Sequence, residues 1–164
     1  MKRIVSVIAL SIIVLAALVA TAVAMPNKVS ATGKSVTLHL VEKSVGMNFV
    51  DNPPHQGTNA PPLMGDQLVF TSDLLTSSGG HAGIFAATCT VARGGVHAKL
   101  LCFGGYSLKG GLIAGIAMPG ESSTTHVAIT GGTGAYEGVT GSAVEISRGQ
   151  GSPFTDVTVH LIYP

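Results

Sequence analysis

The chain has 164 residues, of which 10% are charged, with nine Lys and Arg against eight Asp and Glu for a net charge of +1. That near-balance excludes the clustered basic footprint needed for nucleic acid or an acidic membrane surface. Its 22 glycines and its wealth of Thr, Val and Ala disfavour helices and suit short strands joined by tight turns.

Lys2 and Arg3 open the chain as a short positive region, and residues 4–19 are almost unbroken Ile, Val, Leu and Ala. Ala22-Val23-Ala24 then supplies the small-x-small pattern of a cleavable signal peptide, which predicts an exported, secreted protein beginning at Met25. Residues 4–24 are nearly long enough to serve instead as an uncleaved anchor. The small, neutral flank favours cleavage, and with it no stable membrane insertion. No cysteine follows the apolar run to accept a lipid. Cleavage leaves seven basic residues against eight acidic, a net charge of −1, on a chain long enough for one core. The expected organisation is a signal peptide over 1–24, a flexible lead-in over 25–34 and one β domain over 35–164.

Eight apolar or alternating runs follow, at 35–44, 67–75, 83–92, 97–108, 111–118, 124–130, 139–147 and 155–163. Gly94-Gly95 and Gly110-Gly111 mark tight hairpins, since glycine reaches the positive φ of primed turns. Many short, evenly spaced strands predict an all-β sandwich or barrel, and eight suffice for a closed antiparallel barrel. Residues 45–66, with Pro53, Pro54, Pro61 and Pro62, are predicted to be a loop, either a stiff lid over one barrel end or a surface strap.

Alternation assigns the faces. Val36, Leu38 and Leu40 share a side that Glu42 continues. Leu68, Phe70 and Ser72 point inward, as do Phe85, Ala87, Cys89 and Val91, then Leu100, Cys102 and Tyr106. Such a lining suits an apolar small molecule held by a few polar groups, with Phe70, Phe85 and Tyr106 as walls. Glu42 either reaches water or Lys43 near its strand end, or is buried with its pKa raised, as a general base or electrostatic partner requires. Cys89 and Cys102 lie at mirrored distances from the Gly95-Val96 centre of one hairpin. A cross-strand disulfide in an exported chain and a pair of free thiols are both compatible with that placement.

His39, His126 and His160 fall on outward faces and no two histidines share a ligand spacing, so no metal site is expected. Gly131-Gly132-Thr133-Gly134 follows a strand, but no helix is expected after it. It reads as a glycine turn and not as a nucleotide loop.

The run Val127-Ala128-Ile129-Thr130-Gly131-Gly132-Thr133-Gly134-Ala135-Tyr136-Glu137-Gly138-Val139-Thr140-Gly141 resembles the signature of the allene oxide cyclases and, more loosely, of dirigent proteins. Gly65-Asp66-Gln67-Leu68-Val69-Phe70-Thr71-Ser72 and Gly83-Ile84-Phe85-Ala86-Ala87-Thr88-Cys89 are similar to two further cyclase segments in the same order. The signal peptide and short chain look like those of a secreted bacterial member. The resemblance implies a barrel whose cavity, without any cofactor, shapes a reactive apolar intermediate for cyclisation or coupling. Carried over, Glu42 matches a charge-stabilising glutamate and Cys89 the active-site cysteine. Ser72 stands in the place of a water-binding asparagine, and Asn52-Pro53 stands near a serine-proline pair. Met118-Pro119 falls where a cavity tyrosine is expected. A disulfide at Cys89 would remove its thiol role. Family members are often trimers, which implies a homo-trimer. The residues leave two further readings open: a non-catalytic carrier of hydrophobic ligands, and a structural module with a filled core.

Overall fold

The computed structural model describes residues 33–52 and 60–164. The expected signal peptide over 1–24, most of the expected lead-in over 25–34, and Pro53 and Pro54 of the expected proline-rich loop lie outside the described residues. The strands are β1 (Ser35–Val50), β2 (Gln67–Thr76), β3 (His81–Arg93), β4 (Lys99–Leu108), β5 (Gly111–Ala117), β6 (Thr124–Gly132), β7 (Thr140–Ser147) and β8 (Phe154–Ile162). Each pairs antiparallel with the next, and β8 returns to β1, so the sheet closes into the expected eight-stranded barrel. Closure leaves no open sheet edge around the ring.

Three details depart from the sequence expectation. The first strand does not end at Ser44. A bulge between Ser44 and Gly46 re-phases it, and it continues along β2 to Val50, so the connecting loop begins only at Asp51. The register of β8 with β1 ends at Lys43, followed by one hydrogen bond from the Ser44 N–H to the Pro153 carbonyl at 2.8 Å, and from Gly46 onward β1 pairs with β2. Met47 and Phe49 therefore share the face of their partners Phe70 and Leu68, yet are 71% and 48% exposed. The second departure is in the β4–β5 hairpin, where Leu108 pairs with Gly111 and the turn is Lys109-Gly110. Gly111, at φ 141, is the glycine the hairpin requires, because a Cβ there would sit 2.1 Å from the carbonyl oxygen of Thr133. Third, Gly131 and Gly132, expected in a turn, extend β6 in register with Ala114 and Ile113, and the connection to β7 carries a single 3-10 turn at Gly134–Tyr136.

The interior divides along the barrel axis. Leu74, Ile113, Val139, Ala143, Val159 and Leu161 are fully or almost fully buried and fill the end at which β7 begins. Each large aliphatic among them contributes about 1.5–3 kcal/mol by leaving water. The opposite half is not filled, and the functional features lie there.

Candidate ligand cavity and its buried carboxyls

A cavity of about 270 Å³ occupies the unfilled half. Its wall includes Leu68, Phe70, Phe85, Ala87, Cys89, Leu100, Cys102, Gly104 and Tyr106 on β2 to β4 and continues through Gly115, Ala117, Val127 and Glu145 on β5 to β7. Leu68, Leu100, Ala117, Pro119 and Thr125, at the strand ends, are half-buried, whereas Phe85, Ala87, Cys102 and Tyr106 are buried. The cavity thus opens at the end where β2, β4 and β6 begin. Among the described residues it has one mouth, since buried side chains fill the far end.

Two glycines help to make the space. Gly104 on β4 and Gly115 on β5 are direct register partners on the inner face. A Cβ at Gly104 would meet the Cβ of Ala87 at 2.8 Å, and one at Gly115 would meet Cγ1 of Val127 at 2.6 Å. Phe85 stacks on Tyr106 with centroids 4.9 Å apart, and Phe70 tilts against Phe85 at 5.8 Å. These three rings form a continuous aromatic panel along the wall.

Cys89 and Cys102 face each other in the β3–β4 register and are joined by a disulfide. Both line the cavity, and the bond leaves Cys89 no thiol with which to act. Its place in the wall is that of a covalent brace between two strands.

The polar groups are few and buried. The Tyr106 hydroxyl donates to Glu145 Oε1 at 2.5 Å, which fixes both side chains at the cavity wall. Glu42 is only 6% exposed, and its Oε1 is buried with no hydrogen-bond partner. Desolvation, reinforced by the charge of Glu145, pushes Glu42 up to about 8. Burial also raises Glu145, but the bond from Tyr106 opposes that rise. Tyr106 itself is pushed well above the ordinary phenol range by burial and by the neighbouring carboxylates. At neutral pH burial favours a protonated Glu42, whereas the charged form of Glu145, also disfavoured by burial, is met by the Tyr106 donor.

The sequence-derived site residues are therefore divided. Phe70, Phe85, Tyr106 and Cys89 meet at the cavity wall. Glu42 and Ser72 are buried, as their strand faces implied, but neither lines the cavity. Asn52 braces the loop: its backbone N–H donates to Asp66 Oδ1 at 3.0 Å and its side-chain amide donates to the carbonyl of Gly65. Pro53 lies outside the described residues. His39, His126 and His160 are exposed on the outer face. Among the described residues no group of three or more His, Cys, Asp or Glu is placed to hold a metal ion.

Glu145 was not anticipated. In β7 the larger apolar side chains, Val144 and Ile146, alternate with Ala143 and Glu145, and hydrophobicity alone would turn the first pair inward. The structure does the reverse: Ala143 is fully buried, Glu145 lines the cavity and Ile146 is 47% exposed. The available signal was Ala143, whose small side chain fits a tapering barrel interior beside Val127 and Val159, its register partners.

Fold and cavity together define a class: a one-mouthed antiparallel β-barrel with an apolar interior and buried acidic groups. No family model matches the chain, and no curated protein matches it in sequence. Solved structures do. A pyocyanin demethylase is similar at 23% identity and TM-score 0.64, over 77% of this chain and 99% of the other. A pterocarpan synthase dirigent protein is similar at 18% identity and TM-score 0.63, over 79% and 96%. An exo-specific intermolecular Diels-Alderase is similar at 16% identity and TM-score 0.58, over 78% and 99%. At these identities the likeness establishes a shared barrel fold, one that includes dirigent proteins and cycloaddition catalysts.

Proposed function

We propose that this protein, once exported, binds an apolar small molecule in the barrel cavity and directs its cyclisation or coupling without a cofactor. The observation that carries this reading is the cavity itself: an apolar, one-mouthed space with a hydrogen-bonded Tyr106–Glu145 pair in its wall. Confinement in a near-attack shape lowers a cyclisation barrier with no covalent help from the protein. The fixed pair adds a dipole and a charge where polarity develops in the reacting molecule, inside walls that strengthen both. Barrels of this fold that are named as a dirigent protein and a Diels-Alderase are consistent with that use. The resemblance to allene oxide cyclases adds the particular idea of an epoxide opened beside Glu42.

Size restricts the ligand. A dry cavity of about 150 Å³ holds benzene, so this one has room for about a bicyclic ring system, and a long acyl chain would project from the mouth. One observation favours a carrier instead: Glu42 and Ser72, the expected polar machinery, stand outside the lining.

Native mass spectrometry of protein recovered from its own secretion medium tests the reading. A co-purifying apolar molecule, released as a single enantiomer of a cyclised or coupled product, supports it. The same molecule returned unchanged and racemic after long incubation identifies a carrier. Protein that arrives empty and binds no apolar probe argues for a structural barrel.

A further inference from the structure

We propose that the cavity selects a planar aromatic cation of about bicyclic size, with Glu145 as its counter-ion and the Phe70–Phe85–Tyr106 panel as its stacking wall. This rests on the reading of the cavity as a small-molecule site and adds the ligand's charge and shape.

The charge follows from what faces Glu145. Its carboxyl lines the cavity and receives one hydrogen bond, from Tyr106. No Lys, Arg or His lines the cavity among the described residues, so no side chain neutralises it there. A carboxylate in an apolar enclosure is costly unless paired or protonated, and with no basic side chain in the lining, a cationic ligand is the partner that would hold Glu145 ionised. Glu42, the second carboxyl in the interior, adds acid and no base. The shape follows from the rings. Three aromatic side chains in mutual contact line the cavity, and an aromatic ring attracts a cation that reaches its face. The remaining wall is Leu, Ala, Gly, Val, Pro119 and the disulfide, with the Thr125 hydroxyl, which suits an extended apolar surface better than a compact ammonium group. A delocalised cation is weakly hydrated and loses less on entry than a compact one. A neutral hydrocarbon of equal size would fill the same space and leave Glu145 uncompensated.

The test is a matched pair of probes, N-methylquinolinium and 1-methylnaphthalene, nearly isosteric bicycles that differ in charge. Both are titrated by their own fluorescence into the wild-type protein and into Glu145→Gln at pH 7 and moderate salt. Glutamine keeps an acceptor for Tyr106 and removes the charge. The expected result is at least tenfold tighter binding of the quinolinium to wild type. In Glu145→Gln that advantage disappears, while 1-methylnaphthalene binds at least as tightly as before. Equal or tighter binding of the hydrocarbon to wild type overturns the proposal, even if the variant cannot be made, and leaves the apolar-ligand reading intact. An advantage that survives in Glu145→Gln overturns it too, because the cation then sits elsewhere. Failure of both probes to bind removes the ligand-site reading and this inference with it.

Discussion

Replacing Glu42 with Gln separates the cost of one buried acid from everything else that titrates in the barrel. Glu42 has an ordinary pKa of 4.5 in the unfolded chain and about 8 in the fold, where burial and the charge of Glu145 disfavour its ionised form. The folded state thus holds its proton where the unfolded state has released it. The stability associated with the protonated group is fully present below pH 4.5 and is lost as pH rises through 8. At about 1.4 kcal/mol per pH unit, the loss relative to acid conditions reaches about 3 kcal/mol at pH 7 and about 5 kcal/mol above pH 8.5. Gln at 42 keeps the volume and cannot ionise. Urea unfolding of both proteins at pH 5, 6, 7, 8 and 9 should show curves that are similar at pH 5 and diverge steadily, with Glu42→Gln the more stable at pH 9. A difference constant to within about 0.5 kcal/mol across that range would refute the reasoning and place the Glu42 carboxyl in contact with water.

Two further outcomes are expected. Replacing both Cys89 and Cys102 with Ala opens a loop of sequence separation 13 and should cost about 3 kcal/mol of stability. Calorimetry should then show a melting temperature lower by roughly 10 °C, and a fall of only 1 or 2 °C would mean that the strands need no brace. Asp66 is 2% exposed and accepts from the backbone N–H groups of Leu63 at 2.7 Å and Asn52 at 3.0 Å. Asp66→Ala should cost about 2–3 kcal/mol and speed amide exchange at Leu63 and Asn52, whereas unchanged exchange at both would show that the loop is held by other contacts.

The barrel could be read from the chain because its signals are local and repeated. Alternation identified the inward sides of Leu40, Glu42, Ser72, Phe85, Cys89 and Tyr106, and each is buried. Mirrored spacing within one hairpin made Cys89 and Cys102 candidates for a bond, which they form. Legibility failed where a choice depends on strands distant in sequence. The bulge after Ser44 hid the rest of β1, because one inserted residue reverses the apparent faces of Met47 and Phe49. Glu145 was hidden by its more apolar neighbours, and its role comes from Tyr106, 39 residues away. Which inward residues line open space and which line packed core was equally invisible. That division is set by Gly104 opposite Gly115 and by how eight separate segments stack across the axis.

The sealed end of the barrel has a kinetic consequence. With Leu74, Ile113, Val139 and Leu161 closing one end, arrival and departure share a single doorway. Under the proposed function, a molecule changed inside would back out past the threshold formed by Leu68, Leu100 and Pro119 before another could come in. Traffic would then be one-at-a-time, its pace set by emptying as much as by chemistry, with the product acting as a competitive inhibitor.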